Sequence, residues 1–176
     1  MSNILSDEYE RAALRPSDIN EHLHTIRMFA NKCNSVTEFG VRTGVSTRAF
    51  LVSNASKLRS YDIKIDVNVE KLFQVARDMG KDAQYIKADT RTLNIEPTDL
   101  LFIDTDHTYA QLSIELERHG SKVKNYIMFH DTVGKFSHQL WPAISEFLIA
   151  NPSWFIIVQR NNNHGLTILQ RKNVLE

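Results

Sequence analysis

The sequence has one cysteine, Cys33, so no disulfide can form within the chain. That fits a reducing compartment, and a lone cysteine near a helix end reads as a small buried hydrophobe. No charge of either sign prevails, with 21 Lys and Arg against 21 Asp and Glu. A balanced chain gives no electrostatic case for a nucleic-acid partner or an anionic membrane. No apolar run approaches the roughly 20 residues that span a bilayer, and residues 1–10 are polar and acidic, without the apolar core of a signal peptide. The expectation is a cytoplasmic protein. Only 6 Gly and 4 Pro occur in 176 residues, and no Pro/Gly/Ser-rich linker divides the chain. One domain with a sizeable core fits that length.

What is present is alternation. Residues 1–16 are charged and read as an arm with some helix. Ser17 and Asp18 can cap a helix over 19–33, apolar along Leu23, Ile26, Phe29 and Ala30. From there, strands at 36–40, 58–63, 83–88, 100–103 and 126–129 alternate with helices at 46–51, 67–79, 109–123 and 138–150. Two further strands, 154–158 and 166–169, flank Asn161-Asn162-Asn163-His164-Gly165, which reads as a hairpin turn. The expected fold class is α/β: a Rossmann-like, doubly wound, mostly parallel seven-stranded sheet with an antiparallel C-terminal hairpin. An arm and helix (1–34) would precede a core over 35–176, in a single domain overall.

Chemistry concentrates where strands end, which in a doubly wound sheet is where ligands bind. Residues 38–47, Glu38-Phe39-Gly40-Val41-Arg42-Thr43-Gly44-Val45-Ser46-Thr47, close the first strand and open a helix. Gly40 and Gly44 let the backbone turn sharply beside a ligand. Ser46 can cap the helix, whose free amides attract an anion. Arg42 stands where a pyrophosphate-binding G-x-G-x-x-G has its middle glycine, which disfavours a nicotinamide dinucleotide. Asp62 ends the second strand about 20 residues on, the distance at which an acid meets ribose hydroxyls; Asp66 is a weaker rival. Asp89, beside Thr90, ends the third strand. The structural alternative makes Asp62 a loop-start cap for the next helix.

Asp104 follows the fourth strand, and His130-Asp131 follows the fifth. As neighbours in the sheet these ends would bring Asp104, His130 and Asp131 together as a divalent-cation site. Carboxylates favour Mg²⁺ or Mn²⁺, and the imidazole tilts the choice toward Mn²⁺ or Zn²⁺. In the plainer alternative Asp131 caps a turn and His130 is a satisfied core histidine.

With these residues in view, the sequence resembles the class I S-adenosylmethionine (SAM)-dependent methyltransferases. The likeness is to the branch with E-x-G-x-R-x-G-x-S in its first turn, which includes cephalosporin-hydroxylase-like proteins and metal-dependent sugar O-methyltransferases. It rests on residues 38–46, on Asp62, on Asp99-Leu100-Leu101-Phe102-Ile103-Asp104 and on His130-Asp131. The resemblance implies SAM held by Glu38, Gly40, Arg42, Gly44, Ser46, Asp62, Asp89 and Thr90. Glu38 would accept from the ammonium of SAM, Arg42 would reach its carboxylate and Asp89 would meet the adenine amino group. It implies Mg²⁺ or Mn²⁺ on Asp104, His130 and Asp131, although His130 departs from the usual pair of oxygen ligands. His107 falls where catechol-type relatives carry a basic lysine, so His107, with Asp104, is the expected catalytic pair. The acceptor implied is a small-molecule or sugar hydroxyl, with a homo-oligomer allowed. The alternative is a SAM-binding Rossmann protein with other chemistry or a regulatory role.

Overall fold

A computed structural model describes residues 4–172. The described residues begin with a helix, in a region expected as an arm with some helix, and this helix packs onto the core. In α1 (Ile4–Leu14), Leu5 and Tyr9 lie one turn apart and both enter the core. Ser17 Oγ then accepts from the amides of Ile19 and Asn20 at 3.3 and 3.0 Å, just ahead of a 3₁₀ turn over Asn20–His22 in place of the expected start of a long helix. This turn leads into α2 (Leu23–Ala30), whose buried face is Leu23, Ile26, Phe29 and Ala30. Cys33 follows, buried as expected.

The strand–helix alternation comes next: β1 (Ser35–Phe39), α3 (Val45–Leu51), β2 (Lys57–Asp62), α4 (Val67–Asp78) and β3 (Asp82–Lys87). Asp66 caps α4 by accepting from the amides of Asn68 and Val69, which settles its role as structural. The link from β3 to β4 (Thr98–Ile103) carries no helix, so the alternation is looser there than expected. α5 (Tyr109–His119), β5 (Val123–His130) and α6 (Ser137–Ala150) follow, then the hairpin strands β6 (Trp154–Arg160) and β7 (Leu166–Arg171).

The strands form one sheet in the order β3-β2-β1-β4-β5-β7-β6. β1 to β5 run parallel, and β7 inserts antiparallel between β5 and β6. The core has two layers because strand side chains alternate between faces. Along β4, Leu100 and Phe102 pack toward α1–α4, while Leu101 and Ile103 pack toward α5 and α6. β4 is buried throughout, as a central parallel strand covered on both faces must be. The order reverses between β1 and β4, so their carboxyl ends flank the switch-point crevice. Register puts Phe39 beside Ile103 and Ile103 beside Phe129, which brings Gly40, Asp104 and His130 to one level. Among the described residues, no helix is long and apolar enough to cross a membrane.

Candidate active site

A cleft of about 410 Å³ opens over the ends of β1 to β4, lined among others by Gly40, Arg42, Tyr61, Asp62, Asp89, Thr90, Asp104 and Gln111. That volume falls within the roughly 300–1,000 Å³ usual for small-molecule sites. Gly40 cannot be replaced without distortion. Its φ is +83°, and a Cβ there would stand 1.9 Å from the Asp104 carbonyl oxygen. The turn therefore passes against the start of the loop after β4, and only glycine permits it.

Asp62 sits on the cleft wall and organises the turn. Its Oδ2 accepts from the amides of Val41 and Arg42 at 2.8 and 2.9 Å, and its Oδ1 from Lys64 at 3.0 Å. Oδ1 keeps a lone pair for a ligand hydroxyl. Asp89 also lines the cleft, gripped by Arg91 at 2.6 Å. Arg42 adopts a left-handed φ of +49° and pairs with Asp18 at 2.7 Å while remaining largely exposed. Thr90 faces the cleft, and its hydroxyl donates to Glu115.

Two expected ligand contacts are corrected. Glu38 is fully buried and does not line the cleft. Its carboxylate accepts from Ser46 Oγ at 2.7 Å, Ser60 Oγ at 2.6 Å and Thr47 Oγ1 at 3.0 Å. Burial pushes its pKa up to about 7, against the pull of these three hydroxyls. Glu38 thus pins the start of α3 to β1 and β2 from beneath the turn. Ser46 is not the cap either. Gly44, left-handed with φ of +72°, occupies that position without a side-chain hydrogen bond, and the Ser46 hydroxyl is spent on Glu38.

On its far side the cleft shares Asp104 with a cluster of acids and imidazoles. His107 Nε2 lies 3.3 Å from Asp104 Oδ1 and 2.9 Å from Asp131 Oδ2. His130 Nδ1 lies 3.4 and 3.0 Å from the same two oxygens. The three residues expected to share a site are therefore together, and His107 has joined them. Burial alone would lower the histidine pKa values. The facing carboxylates outweigh it, lifting His107 to about 9 and His130 to about 10. Burial would raise the acids, but the imidazoles hold Asp104 below its ordinary value and Asp131 well below it. As folded, His107 keeps its proton at neutral pH and is shared between two acids. A role as general base requires that proton to be lost first.

The cluster passes a chemical test for a cation. Asp104, His107 and Asp131 each offer a ligand atom, all within 4.8 Å of one another. His130 Nδ1 is buried and close to both acids yet makes no directed hydrogen bond. Its Nε2 faces the Asn163 carbonyl at 3.2 Å. A carbonyl only accepts, so in the neutral ring Nε2 carries the hydrogen and Nδ1 turns a lone pair toward the acids. Metal-ligating histidines are commonly oriented in this way. Asp131 holds a strained, left-handed φ of +57° to present its carboxylate here. Two carboxylates and two imidazoles suit Mn²⁺ or Zn²⁺ better than Mg²⁺.

Sequence reasoning missed Glu115, which accepts from Thr90, Thr105 and Gln111 and ties the cleft's third wall to α5. The signal was available, because Glu115 lies in the buried helical stripe Leu112, Glu115, Leu116, His119. An acid in such a stripe needs partners. The hairpin turn was expected, but not its part in the site, where the Asn163 carbonyl serves both His130 and the buried His22.

The sequence matches no family model and no curated protein. Solved structures do resemble it in fold. The chain superposes on the S-adenosylhomocysteine (SAH)-bound methyltransferase PaMTH1 of Podospora anserina with a TM-score of 0.60 and 14% identity, covering 98% of this chain and 89% of that one. For the SAH-bound N-methyltransferase NodS of Bradyrhizobium japonicum the TM-score is 0.65 at 12% identity, covering 97% and 99%. A Klebsiella pneumoniae protein assigned as an O-methyltransferase gives 0.64 at 15% identity, covering 98% and 91%. The fold is that of the class I SAM-dependent methyltransferases. At such identities the likeness carries the architecture alone.

Proposed function

We propose that this chain is a SAM-dependent methyltransferase acting on a hydroxyl of a small molecule, a sugar by resemblance. The observation that carries the reading is the 410 Å³ cleft at the switch point, walled by strand-end acids and sharing Asp104 with the His–Asp cluster. Asp62 takes the ribose hydroxyls, Asp89 and Thr90 flank the adenine, and Gly40 and Gly44 let the turn lie against the methionine part. Arg42 leaves Asp18 to meet the cofactor carboxylate. Glu38 and Ser46 position this turn from below.

The acceptor oxygen sits over Asp104, which accepts its hydrogen bond and orients it toward the sulfonium methyl. As the O–C bond forms and the C–S bond breaks, SAH is released and the hydroxyl proton leaves to solvent. Holding both reactants in line supplies most of the acceleration. Asp104, Asp131, His130 and His107 are the residues that would hold a divalent cation. When bound, such a cation stabilises developing alkoxide charge. A formal net charge of zero supports a small-molecule acceptor over nucleic acid.

Calorimetric titration with SAH and with NADH tests the cofactor. SAH binding with no response to NADH is expected, and the reverse would end the proposal. Radiolabelled methyl transfer to a panel of sugars and phenols, with Mn²⁺ or with chelator, tests the chemistry.

A further inference from the structure

A second hollow, larger than the cleft, lies outside it. A pocket of about 680 Å³ lies between the end of α1 and the start of α3, against the outer edge of the glycine turn. Arg11, Arg15 and Arg48 line it, and Glu8 is its only acid. Glu8 pairs with both Arg11, at 2.5 Å, and Arg48, at 3.1 Å. Arg48 is fixed further by donating to the Thr43 and Gly44 carbonyls at 2.9 and 2.7 Å. One acid against three guanidinium groups leaves the pocket two positive charges in excess, and among the described residues no ion pair or hydrogen bond engages the exposed Arg15 guanidinium.

This hollow adjoins the reaction site. It shares Thr43 and Val45 with a small crevice that also contains Arg42, Gly40 and Asp104. Those last three residues line the cleft as well. A ligand held by the arginines would therefore lie along the glycine turn on the path to Asp104.

We infer that the pocket binds a dianionic group of the phosphate monoester class, and that it anchors the acceptor by its charged end while the hydroxyl reaches Asp104. The excess of two charges matches a phosphate monoester at neutral pH, and guanidinium forks fit its oxygens bidentately. The acceptor role rests on the methyltransferase reading above; the anion site does not.

Inorganic phosphate is the probe, titrated by calorimetry and by amide chemical shifts at constant ionic strength. Saturable binding is expected, with the shifts centred on Thr43 and Arg15. The double variant Arg11→Ala/Arg15→Ala, which alters only exposed side chains, should weaken phosphate at least fivefold and leave SAH affinity within twofold. Absent saturation, or equal affinity in the variant, would overturn the anion site. Phosphate binding without any SAH binding would overturn the acceptor role and the methyltransferase reading together. Binding of both, with glucose 6-phosphate outcompeting glucose in methyl transfer, would establish the anchor.

Discussion

The β1–β2 end of the sheet and the β4–β5 end both bury acids, yet they partner them in opposite ways. Glu38 is ringed by hydroxyls, and Asp62 by backbone amides. Nothing on that side needs a ligand to be complete. Asp104 and Asp131 instead share the imidazoles of His107 and His130, and His164 reaches Asp131 from the other side at 3.6 Å. On the proposed function the first side is a preformed cradle for a cofactor, and the second is a site whose charges are settled by what binds.

The strongest test of the cradle is Gly40→Ala. A Cβ 1.9 Å from a backbone oxygen, at a φ of +83°, demands that the turn move. Overpacking and left-handed strain together cost about 4 kcal/mol. Chemical denaturation should show that loss, and SAH binding should vanish with it. A fully stable Gly40→Ala protein would mean the turn is not held against Asp104.

Glu38 gives the next largest effect, through pH. Its folded pKa, raised to about 7, lies above its unfolded value, so the native state holds the proton more tightly. Its contribution is complete below about pH 4.5 and is lost as pH rises through about 7. The difference amounts to roughly 3 kcal/mol. Glu38→Gln, which cannot ionise, should flatten that part of the stability profile in urea melts between pH 5 and 8. An unchanged profile would show Glu38 ionised without penalty.

On the opposite side, Mn²⁺ at a hundred times its Kd should add about 2.7 kcal/mol of stability. Asp131→Ala should abolish that gain, and thermal melts with and without chelator measure both. A gain that survives the substitution would place the cation elsewhere and remove the contrast between the two ends.

The contrast also marks what the sequence could and could not tell. The strand ends were legible because short apolar runs stop abruptly at polar residues, as Leu100–Ile103 does at Asp104. The inserted β7 was legible from its turn, Asn161 to Gly165. The burial of Glu38 follows from strand geometry that spacing alone conceals. Strand side chains alternate faces, and Glu38 shares the Val36 face, which α3 covers. From β1, only residues beyond the strand end, such as Gly40 and Arg42, reach the crevice. The second partner of His107 was hidden for a related reason. The distance of His107 from Asp104 along the chain was plain, but its approach to Asp131 depends on a loop path that spacing does not encode.

Arg42 offers the smallest effect and the finest test, because stability and binding should move in opposite directions. Its ion pair with Asp18 is largely exposed, and exposed pairs contribute about 0–1 kcal/mol. Its left-handed φ of +49° is a cost that glycine does not bear. Arg42→Gly should therefore leave stability unchanged or raise it by up to about 0.5 kcal/mol, since relief of strain offsets the lost pair. If Arg42 turns from Asp18 to the cofactor carboxylate, the same substitution should weaken SAH about tenfold, the worth of one charge-assisted contact. Adenosine lacks that carboxylate, so its affinity should not change. Equal losses for SAH and adenosine would instead make Arg42 a support for the turn, and the carboxylate would need another partner.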